Sequence, residues 1–309
     1  MKTHSHSCLP RAARLLAAAL LSLTASAATL TWSGGNGSWG DPMKWSPQIV
    51  PGAGDTAIIG GTDELTIVLT GNQTVDSLVL DNPNATLRVA GSVNFTGHAV
   101  LTVANEFVNQ GTIELTSVES WGNATLTVTS GTLTNATGGV IRVLEGSTGS
   151  RLLNANLDNR GTVEVAQDLT IYGNVANSGT VHIPAGKTLT IPSATTWTHR
   201  ASAITGTGTL SLFDGSTFVL EEDFTPGNFV VNAPRLTVNG PAKLLGPPTG
   251  EFTIRDWTIN AGVVVSGDLR VEGNVAFNSA LAVSAGKTLR VAGNGNFVTQ
   301  TTLKVANGF

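Results

Sequence analysis

Residues 163–191, VEVAQDLTIYGNVANSGTVHIPAGKTLTI, align without a gap to residues 263–291, VVVSGDLRVEGNVAFNSALAVSAGKTLRV. The two stretches share Asp168 and Asp268, Gly-Asn-Val-Ala at 173–176 and 273–276, and Ala-Gly-Lys-Thr-Leu at 185–189 and 285–289. Each is a series of short Val/Leu/Ile/Thr runs punctuated by Gly, Asn or Pro, which is the pattern of short strands joined by tight turns. A repeated unit of such strands has too little apolar surface to shelter itself. It gains a core only by stacking on its neighbours.

The same grammar extends outward in both directions. Leu65–Leu69, Ser77–Leu80, Thr86–Val89, Val100–Val103, Thr125–Val128 and Thr209–Leu212 all read as short strands, many with period-two alternation. A finer motif recurs as an apolar residue, Asn, a turn, Gly and a β-branched strand. It appears at Val108-Asn109-Gln110-Gly111-Thr112-Ile113, at 157–163 and at 175–181, with a looser copy at 133–141. Asn109, Asn135, Asn159 and Asn177 are 26, 24 and 18 residues apart, about one solenoid coil each. The expectation is an all-β, right-handed parallel β-helix (a β-solenoid). These Asn residues would form an internal amide ladder, with Gly supplying a positive φ at each corner. A β-sandwich is the competing fold for the strand pattern alone.

The first residues read as an export signal. Lys2, Arg11 and Arg14 precede the apolar run Leu15–Leu23, and Ala25-Ser26-Ala27 offers small residues for cleavage after Ala27. The run is shorter than the ~20 residues that span a bilayer, so no transmembrane segment is expected after cleavage. Three domains follow: signal peptide 1–27, a Trp/Gly-rich cap 28–60, and the solenoid 61–309. Cleavage removes Cys8, the sole cysteine, and with it any disulfide or thiolate chemistry. It also leaves 14 Lys and Arg against 21 Asp and Glu, a net charge of −7. An acidic chain that is only 12% charged argues against nucleic acid, whose phosphates demand clustered cations.

Residues 31–45 read Thr31-Trp32-Ser33-Gly34-Gly35-Asn36-Gly37-Ser38-Trp39-Gly40-Asp41-Pro42-Met43-Lys44-Trp45, followed by Pro51-Gly52-Ala53-Gly54-Asp55. This W-x-G-G-x-G-x-W … P-x-x-x-D opening resembles bacterial secreted right-handed β-helix proteins with autotransporter-associated β-strand repeats. The resemblance is specific over about the first third of the chain and compositional beyond it. It implies a secreted or cell-surface, adhesin-like solenoid and carries over no catalytic residue. Such proteins usually end in an anchor or translocator. None is visible before Phe309, so the chain is expected either to be released or to be the front of a longer protein. The expected partner is an extracellular polysaccharide or a host or matrix surface.

Candidate chemistry is sparse, and the expectation is a structural or adhesive module rather than an enzyme. For a carbohydrate-binding or carbohydrate-cleaving alternative, the candidate residues are Trp32, Trp39 and Trp45 as a stacking platform, with Glu221 and Asp223 placed on one strand face by alternation. The plainer readings are a hydrophobic plug over the first coil and a solvated acidic turn. Ala-Gly-Lys-Thr at 185–188 lacks the earlier glycine of a phosphate loop, because Val181 stands there. His98, His182 and His199 show no zinc spacing and are expected on strand surfaces. Paired threonines such as Thr125/Thr127 occur on coils too unequal for a flat ice-binding array. No cofactor and no metal ligand is expected.

Overall fold

The computed structural model describes residues 27–92, 97–118, 121–226, 230–232, 235–293 and 301–306. The expected signal peptide up to Ser26, and Phe309, lie outside these residues. Within them the chain is a β-solenoid of about ten turns. The coils lay strands on three faces, and away from the ends of each sheet a strand pairs in parallel with its counterparts one coil before and one coil after. Thr56–Ile59, Ser77–Leu80, Phe107–Asn109 and Val175–Asn177 belong to the first face. Leu65–Leu69, Ala85–Gly91, Thr112–Ser117 and Val140–Val143 build the second. His98–Val103, Leu169–Ile171 and Thr188–Ile191 lie on the third. The long strand Asn123–Asn135 serves the third face with its first half and the first face with its second. It turns between them at Gly131, whose φ is +81°. One antiparallel pairing stands among the described strands, Trp32 against Trp45 in the N-terminal segment. The layout is that of stacked coils, not of two facing antiparallel layers.

In-register stacking turns each inward position into a row running along the axis. Phe107, Leu133, Leu157, Val175, Trp197, Phe218 and Val238 succeed one another, one per coil, and all are buried. The adjacent row begins as Ile59 and Leu80, becomes Asn109, Asn135, Asn159 and Asn177, and ends as His199 and Leu220. The Asn side chains form the amide ladder. Nδ2 of Asn109, Asn135 and Asn159 each donates to Oδ1 of the next Asn at 2.8, 2.8 and 2.7 Å. Each of these Nδ2 groups also reaches a backbone carbonyl, of Val140, Thr162 and Thr180 respectively. The unmatched valences fall at the ends, on Asn109 Oδ1 and Asn177 Nδ2.

The glycine of the Asn-turn-Gly motif has a different role from the one its sequence suggests. Gly111, Gly139, Gly161 and Gly179 are absent from the positive-φ positions. They are required by close approach of neighbouring coils. A Cβ on Gly161 or Gly179 would meet the carbonyl oxygen of Gly139 or Gly161 at 2.1 Å, and one on Gly139 would meet that of Asn109 at 2.5 Å. The 163–191 and 263–291 copies occupy the same faces strand for strand, and their shared residues do the same work. Asp168 and Asp268 accept the backbone N–H of Thr188 and Thr288, each at 2.8 Å. Gly186 and Gly286 do adopt positive φ, +73° and +76°, so Ala-Gly-Lys-Thr is a tight turn between strands.

Asn135→Ala deletes two rungs of the ladder, leaving the buried Asn159 Oδ1 without a donor and Asn109 Nδ2 with the Val140 carbonyl alone, a loss of about 2–3 kcal/mol. Asn177→Ala removes one rung at a terminus and should cost less. Urea unfolding midpoints of the two variants should fall in that order, and equal midpoints would remove the ladder as a stabilising element. Gly161→Ala should destabilise by about 1–3 kcal/mol through overpacking, read in the same way.

Candidate functional site

The three N-terminal tryptophans are packed together rather than spread along a groove. Trp45 sits between its partners, with ring centroids 5.1 Å from Trp32 and 4.9 Å from Trp39, both edge-to-face. Trp39 and Trp45 are fully buried and Trp32 nearly so. Trp45 Nε1 donates to the Trp39 carbonyl at 2.8 Å, and Trp32 Nε1 to that of Gly35 at 3.1 Å. The segment is pinned to the first full coil. Trp39 N–H donates to the Val68 carbonyl, and Thr66 N–H to Asn36 Oδ1. Asp55 takes the N–H groups of Ala28 and Gly52, each at 2.9 Å. Gly34 and Gly37 make room for the Lys44 side chain, whose Cδ and Cε lie 2.3 and 2.7 Å from the Cβ positions those glycines lack. The rings present edges to one another, and no sugar-stacking face is open in this arrangement.

The acidic turn also departs from the strand alternation expected of it. The strand Thr217–Leu220 ends before Glu221, so Glu221 and Asp223 are not set on one face. Each acid is tied to an adjacent coil instead. Glu221 pairs with Arg200 at 2.9 Å, Glu222 with Lys243 at 2.8 Å, and Asp223 Oδ1 accepts the Leu244 N–H at 2.9 Å. Asp214 pairs with Arg235. Exposed pairs of this kind contribute little singly, and they fasten a corner rather than flank a scissile bond.

His199 corrects a further expectation, since it is buried and not on a strand surface. It occupies the ladder position after Asn177. Its Nε2 lies 3.1 Å from the Asp223 carbonyl, which only accepts, so the proton resides on Nε2. Nδ1 then accepts from Ser202 Oγ at 3.0 Å. The ring stands edge-on to Phe224, at a centroid distance of 5.1 Å. A recess of about 190 Å³ opens beside these residues. A hydroxyl on a neutral imidazole oriented by a carbonyl has the outline of a nucleophile and its base. Two observations weigh the other way. Burial pushes the His199 pKa below its ordinary value, which weakens the base, and the register gives His199 the donor role of the Asn residues beneath it.

Sequence reading missed three features, two of which exist only across coils. Arg88, Glu114, Arg142 and Glu164 are consecutive register partners on the second face. They form an alternating charge ladder with contacts of 2.7, 3.6 and 2.5 Å, and the hydrogen bond to Glu164 raises the Arg142 pKa. Arg151 is buried and, among the described residues, pairs with no carboxylate; it donates to the carbonyls of Leu144, Ser147 and Gly149 within its own loop. On the first face, Thr132, Thr134, Asn156, Asp158, Asn174, Ala176 and Thr198 line an open trough of about 410 Å³, floored at the short side chain of Ala176. Among the described residues no group of three or more His, Cys, Asp or Glu is placed to hold a metal ion, and no helix is long and apolar enough to cross a membrane. The chain matches no protein family model, no curated protein and no solved structure.

Because the unfolded chain takes up the His199 proton more readily than the native state, stability is full above the ordinary histidine pKa and declines as pH falls below about 6.5. His199→Asn supplies Asn177 Nδ2 with an acceptor and removes the titrating group. The drop in urea midpoint between pH 7 and pH 5 should therefore be smaller in His199→Asn than in the parent chain. An equal drop would place the acid sensitivity elsewhere. Trp45→Ala should cost about 3–5 kcal/mol and promote self-association through the uncovered first coil, measured by thermal melts and light scattering.

Proposed function

We propose that this protein is an exported structural and adhesive module, a stiff solenoid that displays its strand faces on the outside of the cell, akin to the autotransporter-associated repeat proteins that its N-terminal segment resembles. The observation that carries the reading is the continuity of the stack. A single apolar interior runs through the coils, roofed at the N-terminal end by the tryptophan cluster. Outside it stand short polar side chains and paired charges aligned from coil to coil. Such a body has length, stiffness and a repeating exterior, which suit a spacer that meets an extended partner along its flank.

Two further observations support the reading. The tryptophan cluster shields the first coil's backbone edge and apolar end, a necessity for a solenoid free of end-to-end association. The Ala28 N–H donates to Asp55. Cleavage after Ala27 would therefore place a charged α-amino group opposite that carboxylate, strengthening the contact that ties the segment down.

The test is fractionation and attachment. Antibody against the chain should find it in the envelope or the medium of producing cells, with Ala28 as its first residue by N-terminal sequencing. Deletion should reduce cell attachment to polysaccharide-coated surfaces. Retention in the cytoplasm with residues 1–27 intact, or unchanged attachment after deletion, would overturn the proposal.

A further inference from the structure

Two large aromatic side chains stand outside the core at equivalent positions of different coils. Tyr172 follows the strand Leu169–Ile171, and Phe213 follows the strand Thr209–Leu212, both at the corner where the third face turns into the first. Tyr172 N–H donates to the Leu153 carbonyl, and Phe213 N–H to that of Ile191. Leu153 pairs with Ile171, Thr170 with Thr190, and Ile191 with Leu212. Continuing that register two residues past Thr170 and Thr190, and one past Ile191 and Leu212, stacks Tyr172, Pro192 and Phe213 on three successive coils. Tyr172 is 54% and Phe213 49% exposed, so two large apolar side chains stand half in solvent at one corner. Parallel strands repeat at about 4.8 Å, so the two rings are roughly 9.6 Å apart along the axis with a proline between them.

The trough adjoins this stripe. The chain leaves Tyr172 through Gly173 and enters the first face at Asn174, a trough residue. Asp158 Oδ2 accepts from Arg160 Nε and Nη2 at 2.8 and 2.6 Å. Its Oδ1 is buried and makes no hydrogen bond among the described residues, with Arg200 Nη1 3.9 Å away. The trough therefore offers threonine hydroxyls and amides. Its charges are balanced, Asp158 against Arg160 and Arg200 against Glu221.

We propose that the Tyr172–Pro192–Phe213 corner and the adjoining trough bind an uncharged, extended β-linked glycan whose chain runs along the solenoid axis. Equatorially linked pyranose rings have apolar C–H faces that pack on aromatic rings and hydroxyl edges that need hydrogen-bonding partners. In an extended chain each sugar advances about one coil. Alternate sugars therefore meet Tyr172 and Phe213, the intervening sugar covers Pro192 beside Thr198, and the sugars beyond Tyr172 run along the trough past the coils of Asn156 and Thr134. Balanced charge favours a neutral polymer over a polyanion. An α-linked helical glucan curves away from a straight row of this kind. The inference rests on the adhesive reading above and names the partner class and its site.

The experiment is isothermal titration of the chain with cellohexaose, chitohexaose and, as the curved control, maltohexaose. At least one β-linked hexamer should bind and maltohexaose should not. Tyr172→Ala and Phe213→Ala should each weaken binding roughly ten-fold, with circular dichroism unchanged because half of each ring is already in solvent. If either alanine variant loses its native spectrum, Tyr172→Leu or Phe213→Leu, which retains apolar contact with the corner, replaces it. Absence of binding to both β-linked hexamers, equal binding of maltohexaose, or binding indifferent to both substitutions would overturn the proposal. Failure here with the attachment defect of the deletion strain intact removes the glycan site alone. Hexamer binding without an attachment defect removes the adhesive role alone.

Discussion

A coil of this protein has no interior of its own. Its inward residues become a core only when the coils above and below present residues of matching size at the same height, so register is the constraint on which everything else depends. Parallel backbone pairing sets the coil spacing, and the spacing lets one row hold Phe107, Leu133, Val175 and Trp197 while the next holds four asparagines. A slip of one residue would send each buried side chain to the solvent side and break three amide contacts at once. The glycines at 139, 161 and 179 serve the same end, removing the Cβ that would otherwise hold the turns apart.

The amide row shows how polar groups come to be tolerated in that interior. A buried amide is costly alone, but a column of them satisfies itself along the axis and leaves one unused valence at each end. Above Asn177 the column changes character. His199 takes the donor task with one nitrogen and turns the other toward Ser202, and the rows above it fill with larger rings, Phe218, Phe224, Phe252 and Trp257. Lower coils are thus held by a polar spine, while upper coils rely on aromatic bulk. A second amide row at Asn239, Asn260 and Asn278 lies outside, with its donors pointing the opposite way.

The architecture was legible because its signals are local. Strand runs, turn residues and the 163–191/263–291 duplication all lie along the chain, and the recurrence of Asn109, Asn135, Asn159 and Asn177 pointed to their ladder. Relations between coils were harder to read. Coils of unequal length hide the fact that Arg88, Glu114, Arg142 and Glu164 are neighbours, or that Tyr172 and Phe213 share a corner. His199 looked like a surface residue because nothing nearby in sequence marks it as heir to an asparagine column. Glu221 and Asp223 looked like a same-face pair because alternation was carried past Leu220, where the strand stops. The N-terminal tryptophans stood out in sequence, but only packing shows that their rings meet each other.

The asparagine column keeps contacts of 2.7–2.8 Å although its members are separated by 26, 24 and 18 residues. Each turn contributes one side chain to the spine, however much chain it spends elsewhere. Inheritance can therefore lengthen, shorten or rewrite the outer segments of any turn while the spine keeps its contacts, and the exterior is free to follow a changing environment under one backbone plan.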